Sequence, residues 1–432
     1  MEYYIGLDIG TSSVKGALVT AEGRVVHTAK EVFHYCTTDD GRRELDAGEY
    51  LNACFGVLRI LSAEAEGGVL KGICASSASG NLLLLDRENR PVTGIISWQD
   101  GRVKEEAEEL LCDIDRDAFY RCTGWTYDFK SFPLSQLCYL KKHSPRLLEE
   151  CGMVCMSTEY LNYVLTGKWG ISPSAGTPSY LLDQVKGEYI SPLLERMGLC
   201  KEKLPPVMAC GTVLGTVREE MESVCGVPAG TPVVLGSFDH PSAARGVGVC
   251  REGEMLLSCG TSWVAFFPLS DREKGIRAGM LMDPYLSPEG CFGAMTSIAS
   301  LSGRLQLYVN RYIDDSKDAF SVLSALAAES VKGANGLRIN PMEEPEDAKL
   351  CAYEKKHIAR AIMEGTVELL KKRLDELAEK GIRAGSAVMV GGPSEDPYWI
   401  WLIQEMCGIS VRVEHGSFAG AVGAAVIAGA YC

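Results

Sequence analysis

The sequence predicts an α/β chain built as two domains of similar size, and three observations carry that expectation. The chain has 432 residues, more than the roughly 250–300 at which a single hydrophobic core stops growing. A strand–turn–strand pattern around Gly10-Thr11-Ser12 returns around Gly260-Thr261-Ser262, an offset of 250 residues. A separation that long suggests a duplicated domain rather than a short solenoid repeat. Strand-like runs also alternate with segments of helical period in both halves.

Tyr3 to Ile9 and Val14 to Val19 are apolar runs joined by a polar Gly-Thr-Ser tip, which reads as a hairpin. Ala21 to Arg24 makes a further turn into Val25-Val26, giving three consecutive antiparallel strands before Tyr50 to Leu61 takes on helical spacing. A strand over Gly72 to Ala75 follows. Late in the chain Ile358, Ile362, Leu369, Leu370, Leu374 and Leu377 share one helical face, ending near Gly381. That helix leads to a strand, Ala387 to Val390, a Gly391-Gly392-Pro393 turn and another helix over Tyr398 to Met406. Such an order presents backbone N–H groups to a ligand. The division falls at an N-terminal domain 1–245 and a C-terminal domain 246–432.

A net charge of -14 argues against nonspecific binding to nucleic acid or to anionic membranes. The 17 cysteines form no CxxC pair and follow no secretory signal, which reads as free thiols in a cytoplasmic protein. The spacing of Cys151 and Cys155 lacks a second Cys/His pair for zinc. Gly416 to Ala430, the most apolar tail segment, is short of the roughly 20 residues that span a bilayer and reads as a closely packed internal helix.

Asp8 ends an apolar strand two residues before Gly10, where burying a carboxylate is costly unless something compensates it, and a metal ion is one such compensation. Gly10 lets the backbone approach a phosphate, and Thr11, Ser12 and Ser13 supply N–H and hydroxyl donors. A hairpin in which Asp8 satisfies turn amides is the alternative. The second copy keeps Gly260, Thr261 and Ser262 but has Ser258 in place of the acid. One nucleotide needs two phosphate loops but one main carboxylate directed at Mg2+. Val233 to Phe238 is another apolar run that ends in an acid, Asp239. That carboxylate is the candidate general base for phosphoryl transfer to an alcohol, a role compatible with capping a helix that begins near Pro241. His240 is placed to bond a substrate hydroxyl, although a lone histidine is more often structural.

Together these segments resemble the FGGY carbohydrate kinase family, xylulokinase- and glycerol kinase-like proteins, and the resemblance runs almost end to end. Trp98-Gln99-Asp100-Gly101-Arg102 is similar to the family's W-x-D-x-R segment, and Glu159 to Gly167 to its DYxxxxLTG stretch. Arg360 to Gly365 resembles its RAxxEG helix, Gly391-Gly392 through Trp399 its GGGxxSxxW segment, and Ala421 to Ala425 its final Gly-Ala-rich helix. The resemblance implies two ribonuclease H-like domains of the actin-like ATPase type with ATP in the cleft between them. It implies that Asp8 acts on the metal–phosphate side and that Asp239 is the catalytic base. Gly10, Thr11, Ser12, Ser13, Lys15, Gly260, Thr261, Ser262, Gly391, Gly392, Pro393 and Asp396 would contact ATP. Ser79, Gly80, Asn81, Trp98, Asp100, Arg102, Asp239 and His240 would line the acceptor. Asp100 and Arg102 read equally as exposed residues of a surface loop.

The chain also departs from the family. Ala78-Ser79-Gly80-Asn81 stands where many members have Gln-x-His-Gly, Ser172 where they have the Asp of TDxSxAS, and Pro393 where they have a third glycine. The stretch between Pro341 and His357 is short where the family carries a G-x-R-x-P loop. The expected function is ATP- and Mg2+-dependent phosphorylation of a sugar or polyol hydroxyl. A non-catalytic nucleotide- or sugar-binding sensor is the alternative, and an actin-like ATPase acting on a partner protein is a third reading. The sequence leaves both the sugar and homodimer formation open.

Overall fold

The computed structural model describes the chain except Glu66, Ser79, Lys104, residues 127–131, Thr261, residues 285–290 and His415; it does not describe the side chain of Lys349. The chain divides into two compact units. One comprises residues 1–248, 279–293 and 418–432, and the other residues 249–278 and 294–417.

In the first unit the predicted hairpin forms from strands Glu2–Ile9 and Ser13–Thr20, and Val25–Val32 extends it antiparallel. The helix Ala47–Ala63 then crosses to the strand Val69–Ser77, which pairs parallel with Glu2–Ile9. Pro232–Phe238 joins the other side of Val69–Ser77, also parallel, and Val213–Thr216 closes the sheet antiparallel. Strand alternation divides the faces. Ile5, Leu7 and Ile9 enter a core shared with Tyr50, Leu58 and Leu61 of the crossing helix and with Leu161 and Leu165. Tyr4, Ala17, Val19, Cys74 and Val234 face the C-terminal helix Ala419–Tyr431, the close-packed helix expected from its Gly-Ala composition.

That helix lies against the backbone of the sheet. A Cβ on Gly6 would sit 1.9 Å from the Ala421 carbonyl oxygen. A Cβ on Gly423 would sit 1.7 Å from the Ser242 carbonyl oxygen, in the neighbouring helix Asp239–Gly246. No side chain larger than hydrogen fits such contacts, which is why the segment is built from glycine and alanine.

The second unit repeats the plan. Strands Phe292–Ile298, Trp263–Leu269, Glu254–Cys259, Ser386–Gly391 and Ser410–Val413 occur in that order across one sheet. The hairpin Glu254–Cys259/Trp263–Leu269 is antiparallel, and Glu254–Cys259 pairs parallel with Ser386–Gly391. The hairpins match in register but not in turn length. Ile9 pairs with Val14 in the first, whereas Cys259 pairs with Trp263 in the second. The second turn is therefore one residue shorter, and the offset of 250 holds only on the first strand of each pair. The predicted late helix spans Lys355–Glu379 and buries Ile358, Ile362, Leu370 and Leu377. The shortened stretch after Pro341 lies against the helix Leu301–Tyr312 of the same unit, where Arg304 Nε donates to the Pro341 carbonyl (3.1 Å) and Tyr308 Oη to that of Glu343 (3.1 Å).

Among the described residues no helix is long and apolar enough to cross a membrane, and no cluster of three or more His, Cys, Asp or Glu could hold a metal.

One buried acid in the first unit sets a pH dependence. Glu159, 2% exposed, accepts the Met156 N–H (2.9 Å) at the start of the helix Ser157–Thr166. Burial pushes its carboxyl from an ordinary 4.5 up to about 7. A carboxyl raised on folding adds stability that is full below its unfolded pKa and lost as pH rises through the folded one. The penalty above pH 7 is about 3 kcal/mol, since each tenfold change in proton affinity is worth ~1.4 kcal/mol. Glu159→Gln keeps the acceptor oxygen and removes the ionisation. In urea melts the variant should gain stability relative to wild type as pH rises from 5 to 8. Parallel curves over that range would contradict the assignment.

Candidate active site

Parallel pairing determines where the acids of the first unit stand. Strands Glu2–Ile9 and Pro232–Phe238 flank Val69–Ser77, so all three end at the same edge, with Asp8 opposite Ser76 and Phe238 opposite Ser77. Two strand spacings separate the backbones of Asp8 and Asp239, on the order of 10 Å. Asp8 follows Tyr4 and Gly6 on the face toward the C-terminal helix. A Cβ on Gly420 would meet its Cγ at 2.6 Å, so only glycine there leaves room for the carboxylate. Burial raises the Asp8 carboxyl to about 7; the charge of Asp239 adds to the rise and Lys15, its cross-strand partner, opposes it. The Gly10 N–H is taken by the Ser13 carbonyl (2.9 Å), so the turn does not depend on Asp8.

Asp239 is the first residue of the helix Asp239–Gly246, with Phe238 at the cap position, so the expectation of a helix starting near Pro241 is corrected. Its Oδ1 accepts the N–H of the next residue, His240 (2.6 Å), and its side chain keeps 25% of its surface exposed. Burial pushes its carboxyl up, opposed by the His240 ring and N–H. The His240 ring lies edge-on to Phe238, centroids 5.5 Å apart.

Trp98, 36% exposed, donates its indole N–H to Thr11 Oγ1 (3.3 Å) and stacks on Phe132 at 6.4 Å and 14°. Phe132 also lies over Gly80, where a Cβ would fall 2.6 Å from its ring. The space near the altered 78–81 stretch is thus filled by an aromatic ring. Asn81 is turned to Ser157: its Nδ2 donates to Ser157 Oγ (3.0 Å) and its Oδ1 accepts the Ser157 N–H (2.8 Å). Ser79 lies outside the described residues.

The reading of Asp100 and Arg102 as an exposed pair is corrected. Asp100 is 1% exposed and accepts from the Arg43 N–H (2.8 Å) and from Arg102 N, Nε and Nη2 (3.0, 2.9 and 2.9 Å). Arg102 Nη2 also reaches Glu44 (2.6 Å). These bonds hold the loop that carries Trp98.

In the second unit a cavity of about 880 Å3 opens beside the second turn, lined by Gly260, Ser302, Phe320, Ser324, Gly392, Pro393, Asp396 and Trp399 among others. Gly391, next to the lining residue Gly392, has φ +97°, with the Cys259 carbonyl 2.5 Å from where a Cβ would stand, so both conformation and contact require glycine. Gly392 has nothing within 4 Å of such a position and leaves the cavity wall open to a ligand. Asp396 caps the helix Pro397–Cys407 through the Tyr398 N–H (2.9 Å), and its other oxygen accepts from Ser324 Oγ. Ser302 Oγ donates to the Gly260 carbonyl (2.5 Å), and Ser262 Oγ accepts the Ser300 N–H (3.1 Å). Thr261 lies outside the described residues. Sequence reasoning missed Phe132, Ser324 and Gly420. Only Gly420 had a signal, in the Gly-Ala run.

Gly420→Ala should push Asp8 out of place and lower turnover on the order of 100-fold, as an ångström-scale misplacement does, with the far-ultraviolet dichroism unchanged. Full turnover would show that the Asp8 position is not critical.

Residues 3–246 match the N-terminal domain of the FGGY family of carbohydrate kinases, and residues 337–432 its C-terminal domain. The chain is 27% identical over 455 residues to L-xylulose/3-keto-L-gulonate kinase of Escherichia coli, covering 100% of this chain and 89% of that one. It is 26% identical over 469 residues to an autoinducer-2 kinase of Yersinia enterocolitica, covering 99% and 86%. Among solved structures, xylulose kinase from Rhodospirillum rubrum superposes with a TM-score of 0.86 at 24% identity, covering 99% and 90%. Plasmodium falciparum glycerol kinase with ADP gives 0.85 at 18% identity, covering 100% and 90%. The two repeated α/β units, the paired Gly-Thr-Ser turns and these matches lead to one conclusion: the chain belongs to the FGGY family of carbohydrate kinases.

Proposed function

We propose that the protein transfers the γ-phosphoryl group of ATP to a hydroxyl of a ketose or polyol, with Asp239 as general base. The observation that carries this reading is the placement of two acids, Asp8 and Asp239, at one edge of the first unit's sheet, where burial raises both carboxyls. Asp239 suits the base: burial raises its carboxyl, and a raised carboxyl takes a proton more readily than an ordinary one. In the reaction its carboxylate accepts the proton of the sugar hydroxyl as the new O–P bond forms. The bond from the γ-phosphorus to the bridging oxygen breaks, and ADP leaves.

The residues present fit Mg2+. The field of Asp239 and burial destabilise an ionised Asp8 that has Lys15 as its one opposing charge named above, and a divalent cation relieves such a site. Asp8 would hold it, and when bound it neutralises phosphate charge. The cavity beside Gly391 and Asp396 takes the adenosine end of ATP in this reading, and Gly260 in its lining lets the backbone approach a phosphate. The exposed Trp98 offers an apolar wall to the acceptor, and His240 a polar edge. Asp100 and Arg102 act through the loop they hold rather than by touching sugar. The names of the relatives in E. coli and Y. enterocolitica favour a ketose or a related small polyhydroxylated compound. Use of ATP in this reading suits a cytoplasmic setting.

ADP release from Mg2+-ATP, measured against ketoses, aldoses and polyols, should be accelerated by at least one of them. Asp239→Ala should lower that turnover on the order of 10²–10⁴-fold. If no compound accelerates release while nucleotide still binds, the sensor reading replaces this one.

A further inference from the structure

The strand that carries Asp239 does not reach it in regular pairing. Leu235 lies opposite Ala75 and Phe238 opposite Ser77, so three steps on one strand match two on the other, a bulge just before the acid. Bulges bend a strand and re-aim the side chains that follow. They also take backbone groups out of the ladder, and such groups need new partners when buried. Here the partners come from one short segment. Ser172 Oγ donates to the Gly236 carbonyl (2.6 Å), and Ser174 Oγ accepts the Phe238 N–H (3.1 Å).

Ser174 can accept from Phe238 in a fixed orientation only if its own hydroxyl hydrogen is directed elsewhere. It is directed to Asp283 Oδ2, 2.7 Å away. Ser172, Ser174 and Asp283 are all 0% exposed. Asp283 comes from residues 279–293, which belong to the first unit although the stretches on either side belong to the second. Hydrogen bonds fasten the strand Leu281–Asp283 firmly in place. Tyr120 Oη donates to the Met280 carbonyl (2.6 Å), Trp125 Nε1 and Gln184 Nε2 to that of Met282 (3.2 and 2.7 Å), and Met282 N to the Gly124 carbonyl (2.8 Å). A carboxylate is an expensive group to bury as a mere structural acceptor. By accepting the Ser174 hydroxyl, Asp283 Oδ2 holds that rotor in one orientation.

We infer that Asp283, acting through the Ser174 hydroxyl and the Phe238 N–H, is a positioning residue that sets where the Asp239 carboxylate stands. Neither residue touches substrate. This inference rests on the proposal that Asp239 is the base. It assigns a role in turnover to a segment that follows Asp239 by more than 40 residues.

The test measures kcat and KM for ATP with L-xylulose, or whichever ketose or polyol turns over fastest, in Ser174→Ala, Asp283→Ala, Asp283→Asn and the double variant Ser174→Ala/Asp283→Ala, beside Asp239→Asn. The two alanine variants should each lose about 10–100-fold in kcat with KM for ATP within about three-fold. The double variant should be no worse than the poorer single one, because both break the same chain of bonds. Asp283→Asn retains a carbonyl that accepts the Ser174 hydroxyl and should recover most of the turnover. Normal kcat in Ser174→Ala, or losses that multiply in the double variant, would overturn the inference. If Asp283→Ala fails to fold, Ser174→Ala and Asp283→Asn decide it by the same criteria. Loss of turnover in Asp239→Asn with normal Ser174→Ala rejects the relay alone, whereas retained turnover in Asp239→Asn rejects the base assignment and the relay with it.

Discussion

The repulsion between two carboxylates at one sheet edge is the constraint around which the first unit is arranged. Asp8 and Asp239 stand at the ends of strands on either side of Val69–Ser77; burial raises both, and the charge of Asp239 makes Asp8 harder still to ionise. A fold has no stability reason to place two acids there. Removing them would relieve desolvation and like-charge repulsion together. In the proposed reaction positive charge and a phosphoryl group enter between them, so stability would be given up at the point where that chemistry occurs.

Much of the remaining architecture serves that edge. The C-terminal helix reaches the sheet backbone through Gly6, Gly420 and Gly423 and leaves Asp8 the space of one missing Cβ. Ser242, in the helix begun by Asp239, donates to the Gly420 carbonyl (3.0 Å), so the helix bounding one acid is tied to the helix carrying the other. The loop bearing Trp98 is held by Asp100 and Arg102, and Trp98 in turn reaches the first Gly-Thr-Ser turn at Thr11. The second unit repeats the hairpin with Ser258 in place of the acid and builds its cavity beside Gly391.

The parts of this account that depend on local pattern were legible in the sequence. Alternation and turn chemistry gave the first three strands, and the 3.6-residue period of Ile358 to Leu377 gave the long helix nearly to its ends. The acids stood out because each terminates an apolar run. The parts that depend on which segments meet were not legible. An i,i+2 pair such as Asp100 and Arg102 reads as surface until the Arg43 N–H and Glu44 are seen to converge on it. Ser174 and Asp283 are 109 residues apart, and no periodicity or spacing connects them. The Gly-Ala run announced close packing, but not that Asp8 was the group it packs against.

The central claim is that the γ-phosphoryl group goes to a sugar hydroxyl and not to water. Phosphorus NMR of the products formed from Mg2+-ATP and an active acceptor tests it most directly. A phosphomonoester resonance should grow one-for-one with ADP. Inorganic phosphate growing with ADP in its place, at a rate indifferent to the sugar, would contradict it.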